Sequence, residues 1–193
     1  MIIFDFDGVI SDSVTWFDGV ARDVSIRHRA REQEILEWMI AIASHPWLSG
    51  TWDDEQFVQE LNKTFSIDVG IDEIGSSCAS SIRIDPRVAA LIESLGCITI
   101  FTDNPLIRAR FIKASVPQAR VTASQSVKAR KHDDFEAFVS SSGIMSGLFI
   151  DDYPPNLEAA RKAGFETLRW QLRKDPYEVL EARIREYEPT SLS

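Results

Sequence analysis

Acidic and hydroxyl side chains stand directly after short apolar runs at three places in this 193-residue chain. Asp5 and Asp7 follow the first run, Thr102 follows the second, and Asp151 and Asp152 follow a later one. Carboxylates brought together repel one another unless a cation lies among them, and hard oxygen ligands suit Mg²⁺. A hydroxyl, a lysine and helix N-termini nearby would add a phosphate site. The residue types therefore favour a metal site that could also hold a phosphate group.

The apolar runs themselves are typical of buried strands separated by amphipathic helices. The predicted strands are residues 2–4, 97–101, 148–150 and 167–170, with a weaker one at 119–122. Strands that alternate with helices at this spacing predict an α/β fold with a doubly wound parallel sheet. Ligands bind at the carboxyl ends of such strands, so the acidic and hydroxyl groups should meet at one edge. Asp133 is the expected N-cap of the helix that leads to Gly143.

One interval is too long for a single crossover helix, because the second strand begins only at Cys97. We expect residues 14–83 to form an inserted helical domain, with helical apolar spacing on both sides of a breaker cluster at Ser44–Gly50. Residues 1–13 and 84–193 would then form the α/β domain. The sequence thus predicts a sheet domain that carries a smaller α-helical one.

Composition limits the class of protein. Apolar residues make up 44% of the chain, and 21 Lys and Arg stand against 30 Asp and Glu, giving a net charge of −9. Such acidity disfavours broad binding to nucleic acid or an anionic membrane. We expect a cytoplasmic protein with reduced thiols. The chain has only two cysteines, it starts with an apolar run and no basic leader, and it lacks a run of about 20 apolar residues. Nothing in the sequence indicates an oligomeric state.

Three segments together resemble the haloacid-dehalogenase (HAD) superfamily, in its phosphatase-like branch. Residues 5–13 are similar to its first motif, residues 101–104 to its second and residues 149–164 to its fourth. The resemblance covers essentially the whole chain. The superfamily has a Rossmann-like core, and the insertion after the first motif is similar to the helical cap domain that this superfamily places there.

The resemblance implies a Mg²⁺-dependent phosphomonoester hydrolase that acts through an aspartyl-phosphate on a small phosphorylated metabolite. Asp5 would attack phosphorus, while Asp7 would protonate the leaving oxygen and then deprotonate a water molecule. The catalytic set would be completed by Thr102 and Lys131. The phosphate would be bound by Phe6, Thr102, Asp103 and Lys131, and the metal by Asp5, Asp7 through its carbonyl, Asp151 and Asp152.

The lysine of the third motif has two candidates, Lys128 and Lys131. The superfamily's usual pattern follows this lysine with proline and an acidic helix cap. Lys131 keeps the distance to the acidic cap but has His132 in the proline position, and we favour it over Lys128. The second motif also departs from the pattern, because Asp103 stands where many relatives have asparagine.

Asp7 bears on which reaction is expected. A halide leaves without an acid, whereas an alkoxide needs one, so Asp7 favours phosphate esters over haloacids. A phosphomutase would use the same residues, and a catalytically idle relative could bind a partner through tryptophans of the insertion. Those tryptophans are Trp16, Trp38, Trp47 and Trp52. Arg83, Arg108 and Arg110 carry no chemistry that the sequence reveals.

Overall fold

A computed structural model describes residues 1–13 and 16–187 and confirms the α/β class with a parallel sheet. Five strands are ordered β3-β2-β1-β4-β5, and every neighbouring pair is parallel. The strands are β1 (Ile2–Phe4), β2 (Ile98–Thr102), β3 (Ala119–Ala123), β4 (Leu148–Asp151) and β5 (Glu166–Arg169). The order changes direction at β1, which lies between β2 and β4. A crevice at the carboxyl end of β1 is therefore expected.

Between β1 and β2 the chain forms a group of helices at residues 16–80, which we call the helical insertion. It contains α1 (Trp16–His28), α2 (Glu32–Trp38), a π-helical stretch (Met39–Ala43), α3 (Ser44–Leu48), α4 (Asp54–Phe65) and α5 (Ile71–Ser80). These helices enclose an apolar cluster distinct from those on the two faces of the sheet. The expected breaker at Ser44–Gly50 is wrong in part, because Pro46 lies in the first turn of α3, where a missing N–H is tolerated.

The sheet is flanked by helices, and those that begin at Pro86 and Phe135 each follow an aspartate that caps them. They are α6 (Pro86–Leu95), α7 (Leu106–Ser115), α8 (Ser124–Val127), α9 (Phe135–Ser142), α10 (Pro154–Lys162) and α11 (Tyr177–Tyr187). The expected cap at Asp133 is wrong by one residue. Asp134 accepts from the Ala137 amide, because a carboxylate directly before the helix reaches its third amide. No helix of the described ranges is long and apolar enough to span a bilayer.

The insertion and the sheet unit share buried polar contacts at the start of α7. Pro105 precedes this helix and offers no side-chain cap. Instead the amide of Leu106 donates to the side chain of Gln125, and that of Ile107 donates to Asp54 Oδ2 of the insertion at 2.8 Å. Asp54 also accepts from the indole of Trp47 at 2.9 Å. A buried carboxylate of one unit thus caps a helix of the other.

Candidate active site

The segment after β1 turns sharply beside the segment after β4. Asp5 extends the strand, its amide donating to the carbonyl of Ile150 at 2.8 Å. Gly8 has φ +88°, a conformation that other residues rarely adopt. A Cβ built on Gly8 would lie 2.6 Å from Asp152 Oδ2, so glycine also permits the close approach. The two acidic segments are therefore brought together as their strand positions predict.

Lys131 lies at the centre of these carboxylates. Its Nζ is 2.6 Å from Asp5 Oδ1 and 2.7 Å from Asp151 Oδ2, and the side chain is 1% exposed. Burial alone would lower the pKa of Lys131, but the charges of Asp151 and Asp5 outweigh it and raise the pKa above its ordinary value. Lys128 instead ends α8 in a left-handed conformation and is exposed. The structure thus brings Lys131, and not Lys128, to the acidic groups.

The same edge offers a set of oxygens suited to a hard cation. Asp5, Asp151 and Asp152 can each place one carboxylate oxygen so that all three lie within 4.8 Å of one another. Burial, together with the neighbouring Asp151, raises the pKa of Asp5 and of Asp152. The side chain of Asn156 donates to Asp151 Oδ2 at 2.9 Å and helps to fix it. An oxygen-only donor set with crowded negative charge fits Mg²⁺.

The segment after β2 contributes a hydroxyl and an amide. Thr102 is fully buried, and its Oγ1 accepts from Asn104 Nδ2 at 2.6 Å. The carboxylate of Asp103 accepts from the Lys131 amide at 3.0 Å and lies 3.5 Å from Arg130 Nε. The negative charge that Asp103 has in place of asparagine is therefore balanced by the nearby Arg130. The hydrogen bond that Asp103 accepts from the Lys131 amide orients the segment that carries Lys131.

Two expected site residues sit differently from the rest. The side chain of Phe6 is fully buried in the apolar cluster beneath the site, so only its main chain can contact a ligand. The carboxylate of Asp7 is not part of the acidic cluster. Its Oδ2 accepts from Asn104 at 2.7 Å, and its Oδ1 accepts from Ser13 at 2.6 Å and from Arg108 at 2.5 Å. A metal contact of Asp7 would therefore use its carbonyl.

Sequence reasoning missed Arg108 and Asn104. Arg108 has no exposed surface and makes an ion pair with Asp7. The available signal was its spacing, since Arg108 precedes the buried Ile112 by four residues and so shares the inward face of α7. Asn104 lies in the segment 101–104 that resembles the second motif, but no role was predicted for its side chain, which joins Thr102 to Asp7.

A cavity of about 240 Å³ adjoins these groups. Its polar wall includes Asp5, Asp7, Thr102, Asp103 and Lys131. The helical insertion supplies the apolar wall: Trp16, Phe17 and Leu48.

The other tryptophans of the insertion serve mainly in packing. Trp47 is fully buried and stacks on Phe57 with 3.6 Å between ring centroids, while Trp38 packs against Phe57 and Phe65. Trp16, Trp38 and Trp47 are all buried, so they do not form an exposed aromatic surface for a partner.

Comparison with protein-family models and with curated proteins gave no match. Solved structures do match. A predicted HAD-like family hydrolase from Porphyromonas gingivalis has a TM-score of 0.69 at 20% identity, over 95% of this chain and 97% of that one. A HAD family enzyme from Bacteroides thetaiotaomicron, in complex with magnesium and inorganic phosphate, gives 0.67 at 14% identity, over 92% and 97%.

An L-2-haloacid dehalogenase from Xanthobacter autotrophicus gives a TM-score of 0.58 at 15% identity, over 99% of this chain and 84% of that one. Identities this low carry information about architecture and not about substrate. The first of these similarities covers nearly the whole of both chains, and the protein has the fold of the HAD-like hydrolases.

Proposed function

We propose that this protein is a Mg²⁺-dependent phosphomonoester hydrolase of the HAD superfamily, acting on a small phosphorylated metabolite. The observation that carries the proposal is the placement of one buried lysine, Lys131, between Asp5 and Asp151, with Asp152 adjoining them. The magnesium and phosphate complex of the structurally similar Bacteroides enzyme supports the same chemistry.

In the first half of the reaction Asp5 attacks phosphorus in line, and the bond from phosphorus to the leaving oxygen breaks. Asp7, at the wall of the same cavity, gives its proton to that oxygen. Lys131 and the hydroxyl of Thr102 hold the equatorial oxygens of the phosphoryl group. Bound Mg²⁺, held by Asp5, Asp151, Asp152 and the Asp7 carbonyl, would neutralise charge on the nucleophile and the phosphate.

In the second half the aspartyl-phosphate on Asp5 is hydrolysed. Asp7, now ionised, removes a proton from water, whose oxygen attacks phosphorus and releases Asp5 and inorganic phosphate. The ammonium of Lys131 lies 2.6 Å from Asp5 and 2.7 Å from Asp151, where it can neutralise charge on the phosphoryl oxygens. Asp7 ends the cycle protonated and ready for the next leaving group.

The helical insertion is proposed to act as the cap domain, with residues 14–83 as its extent. Trp16, Phe17 and Leu48 project from it to the cavity, opposite the acidic edge. A cavity of about 240 Å³ lies below the ~300 Å³ at which sites for drug-sized ligands begin, which supports a small substrate. The cytoplasmic location of the protein and its expected lack of nucleic-acid and membrane partners stay predictions from the sequence.

Hydrolysis of haloacids is the main alternative, given the structural similarity to a dehalogenase. Asp7 argues against it, because a halide leaves without a proton and the reaction would then give this carboxylate no acid-base role. A phosphomutase would use the same side chains but return the phosphoryl group to a hydroxyl of the substrate.

The test is phosphate release from p-nitrophenyl phosphate, with Mg²⁺ and with EDTA. We expect activity that depends on Mg²⁺, its loss in Asp5→Asn, and no effect of Asp68→Asn, which changes an exposed carboxylate of the insertion. Full activity of Asp5→Asn, or chloride release from 2-chloropropionate without any phosphatase activity, would contradict the proposal. Transfer of phosphate to an added sugar phosphate would favour the mutase.

A further inference from the structure

Arg108 carries a charge into the interior between the sheet unit and the insertion. It lies on the inward face of α7 and is 0% exposed. A buried guanidinium is strongly destabilising unless it is paired. Its partner is Asp7, whose Oδ1 lies 2.5 Å from Arg108 Nη2. The proposed acid-base residue is therefore also the counter-ion of a buried arginine.

The same guanidinium binds both segments that join the two units. Nη2 donates to Ser13 Oγ at 2.9 Å, where the chain leaves the sheet unit. Nη1 donates to Ser81 Oγ at 2.6 Å and to the carbonyl of Cys78 at 3.0 Å, where the chain returns. The indole of Trp16 covers the guanidinium at 4.8 Å. A planar fork with several donors can make these contacts together, which a lysine cannot.

Asp7 is consequently fixed at both of its oxygens. Oδ1 accepts from Arg108 and from Ser13 in both protonation states of Asp7, so the proton that Asp7 transfers is carried by Oδ2, which accepts from Asn104. Proton transfer to a leaving oxygen requires the acid within hydrogen-bond reach and correctly aimed. The position of this carboxylate is set by Arg108 together with the two joining segments.

We propose that Arg108 is a positioning residue, which aims Asp7 at the leaving group and ties its position to the two joining segments. This inference rests on the acid-base role of Asp7 in the proposed function. Arg108 acts through Asp7 and does not touch the phosphoryl group. Its contribution therefore grows with the substrate's need for an acid.

The experiment compares kcat/KM for two substrates with Mg²⁺. 2,4-Dinitrophenyl phosphate releases a weakly basic phenolate without a proton, whereas phenyl phosphate needs one. In Arg108→Met we expect a fall of about 100-fold or more for phenyl phosphate and less than about 10-fold for the dinitrophenyl ester. Asp7→Asn should show the same pattern, and Arg108→Lys, which keeps the charge but not the fork, should lie between. Arg110→Met is the matched control, since Arg110 is an exposed arginine of the same helix.

Equal falls for both esters in Arg108→Met would overturn the proposal, because a merely structural role does not distinguish leaving groups. A second measurement needs no activity: the Tm losses of Arg108→Met, of Asp7→Asn and of the double variant. The two groups are partners, so the double variant should lose less than the sum of the single losses. Additive losses would also overturn the pairing. A wild type that hydrolyses neither ester would refute the proposed function, and the Tm comparison would still decide the pairing.

Discussion

Replacing Lys131 by methionine removes one positive charge from the interior while keeping most of the volume of the side chain. Lys131 is 1% exposed and contacts Asp5 and Asp151 at 2.6 and 2.7 Å. Without it, two carboxylates face each other in a buried site with no positive partner between them. We expect the variant to be inactive and markedly less stable.

The size of the stability loss follows from the burial. Removing one partner of a buried ion pair destabilises by about 3–5 kcal/mol, because the remaining charge is left uncompensated. Two carboxylates share this lysine, but burial already raises the pKa of Asp5, so protonation relieves part of the strain. A loss of about 3–5 kcal/mol in a chain of this size lowers Tm by roughly 6–20 °C.

Urea unfolding, followed in EDTA and again with excess Mg²⁺, measures the effect. A ligand at 100 times its Kd adds about 2.7 kcal/mol to a folded state that binds it. Lys131 competes with the cation for Asp5 and Asp151, so Mg²⁺ should stabilise the variant more than the wild type and restore part of the loss. Lys128→Met is the control, and this exposed lysine should change stability by less than about 0.5 kcal/mol. A Lys131→Met variant within about 1 kcal/mol of the wild type, or an equal effect of Lys128→Met, would refute this reasoning.

Further predictions concern a turn, the pH dependence of stability and the thiols. Gly8→Ala would place a Cβ 2.6 Å from Oδ2 of Asp152, a proposed metal ligand, so activity should need a higher Mg²⁺ concentration. Gly143→Ala, at a similar positive φ but with open space around it, should not change the Mg²⁺ requirement in the same titration. Burial raises the pKa of Asp54 above its ordinary 3.8, so the folded protein holds this proton more tightly than the unfolded chain. The free energy of unfolding of the wild type should therefore fall relative to Asp54→Asn as pH rises from about 4, and a parallel course in urea titrations would contradict this. Burial raises the pKa of Cys78 to about 12, so a thiol reagent should modify Cys97 in the native protein and both cysteines only after unfolding.

Much of the architecture could be predicted because parallel strands have a simple signature. Short apolar runs predicted the strands within about one residue, and the acidic or hydroxyl residues after three of them implied that Asp5, Thr102 and Asp151 would share an edge. The length of the first crossover predicted helices between β1 and β2, and the extent of a separate domain there stays a prediction. Such inferences need only the local pattern and the rule that ligands bind at the carboxyl ends of strands.

The contacts between distant segments could not be predicted in the same way. Arg108 lies 101 positions from Asp7, and Asp54 lies 53 positions from the amide that it caps. Neither pairing has a periodic signature, because each depends on how the insertion docks on the sheet unit. Asp133 and Asp134 illustrate the other limit, since two adjacent acids can each cap a helix and only the backbone geometry selects between them.

The cap that Asp54 provides to α7 couples the stability of the helical insertion to that of the sheet unit. A chain shortened to the sheet unit would lose the acceptor for the Ile107 amide and the shield around Arg108, while the isolated insertion would bury a carboxylate without that donor. Each piece should therefore be less stable alone than within the whole chain, although each has its own apolar cluster. If the insertion were replaced by that of a relative, the first turn of α7 would therefore have to be replaced together with it.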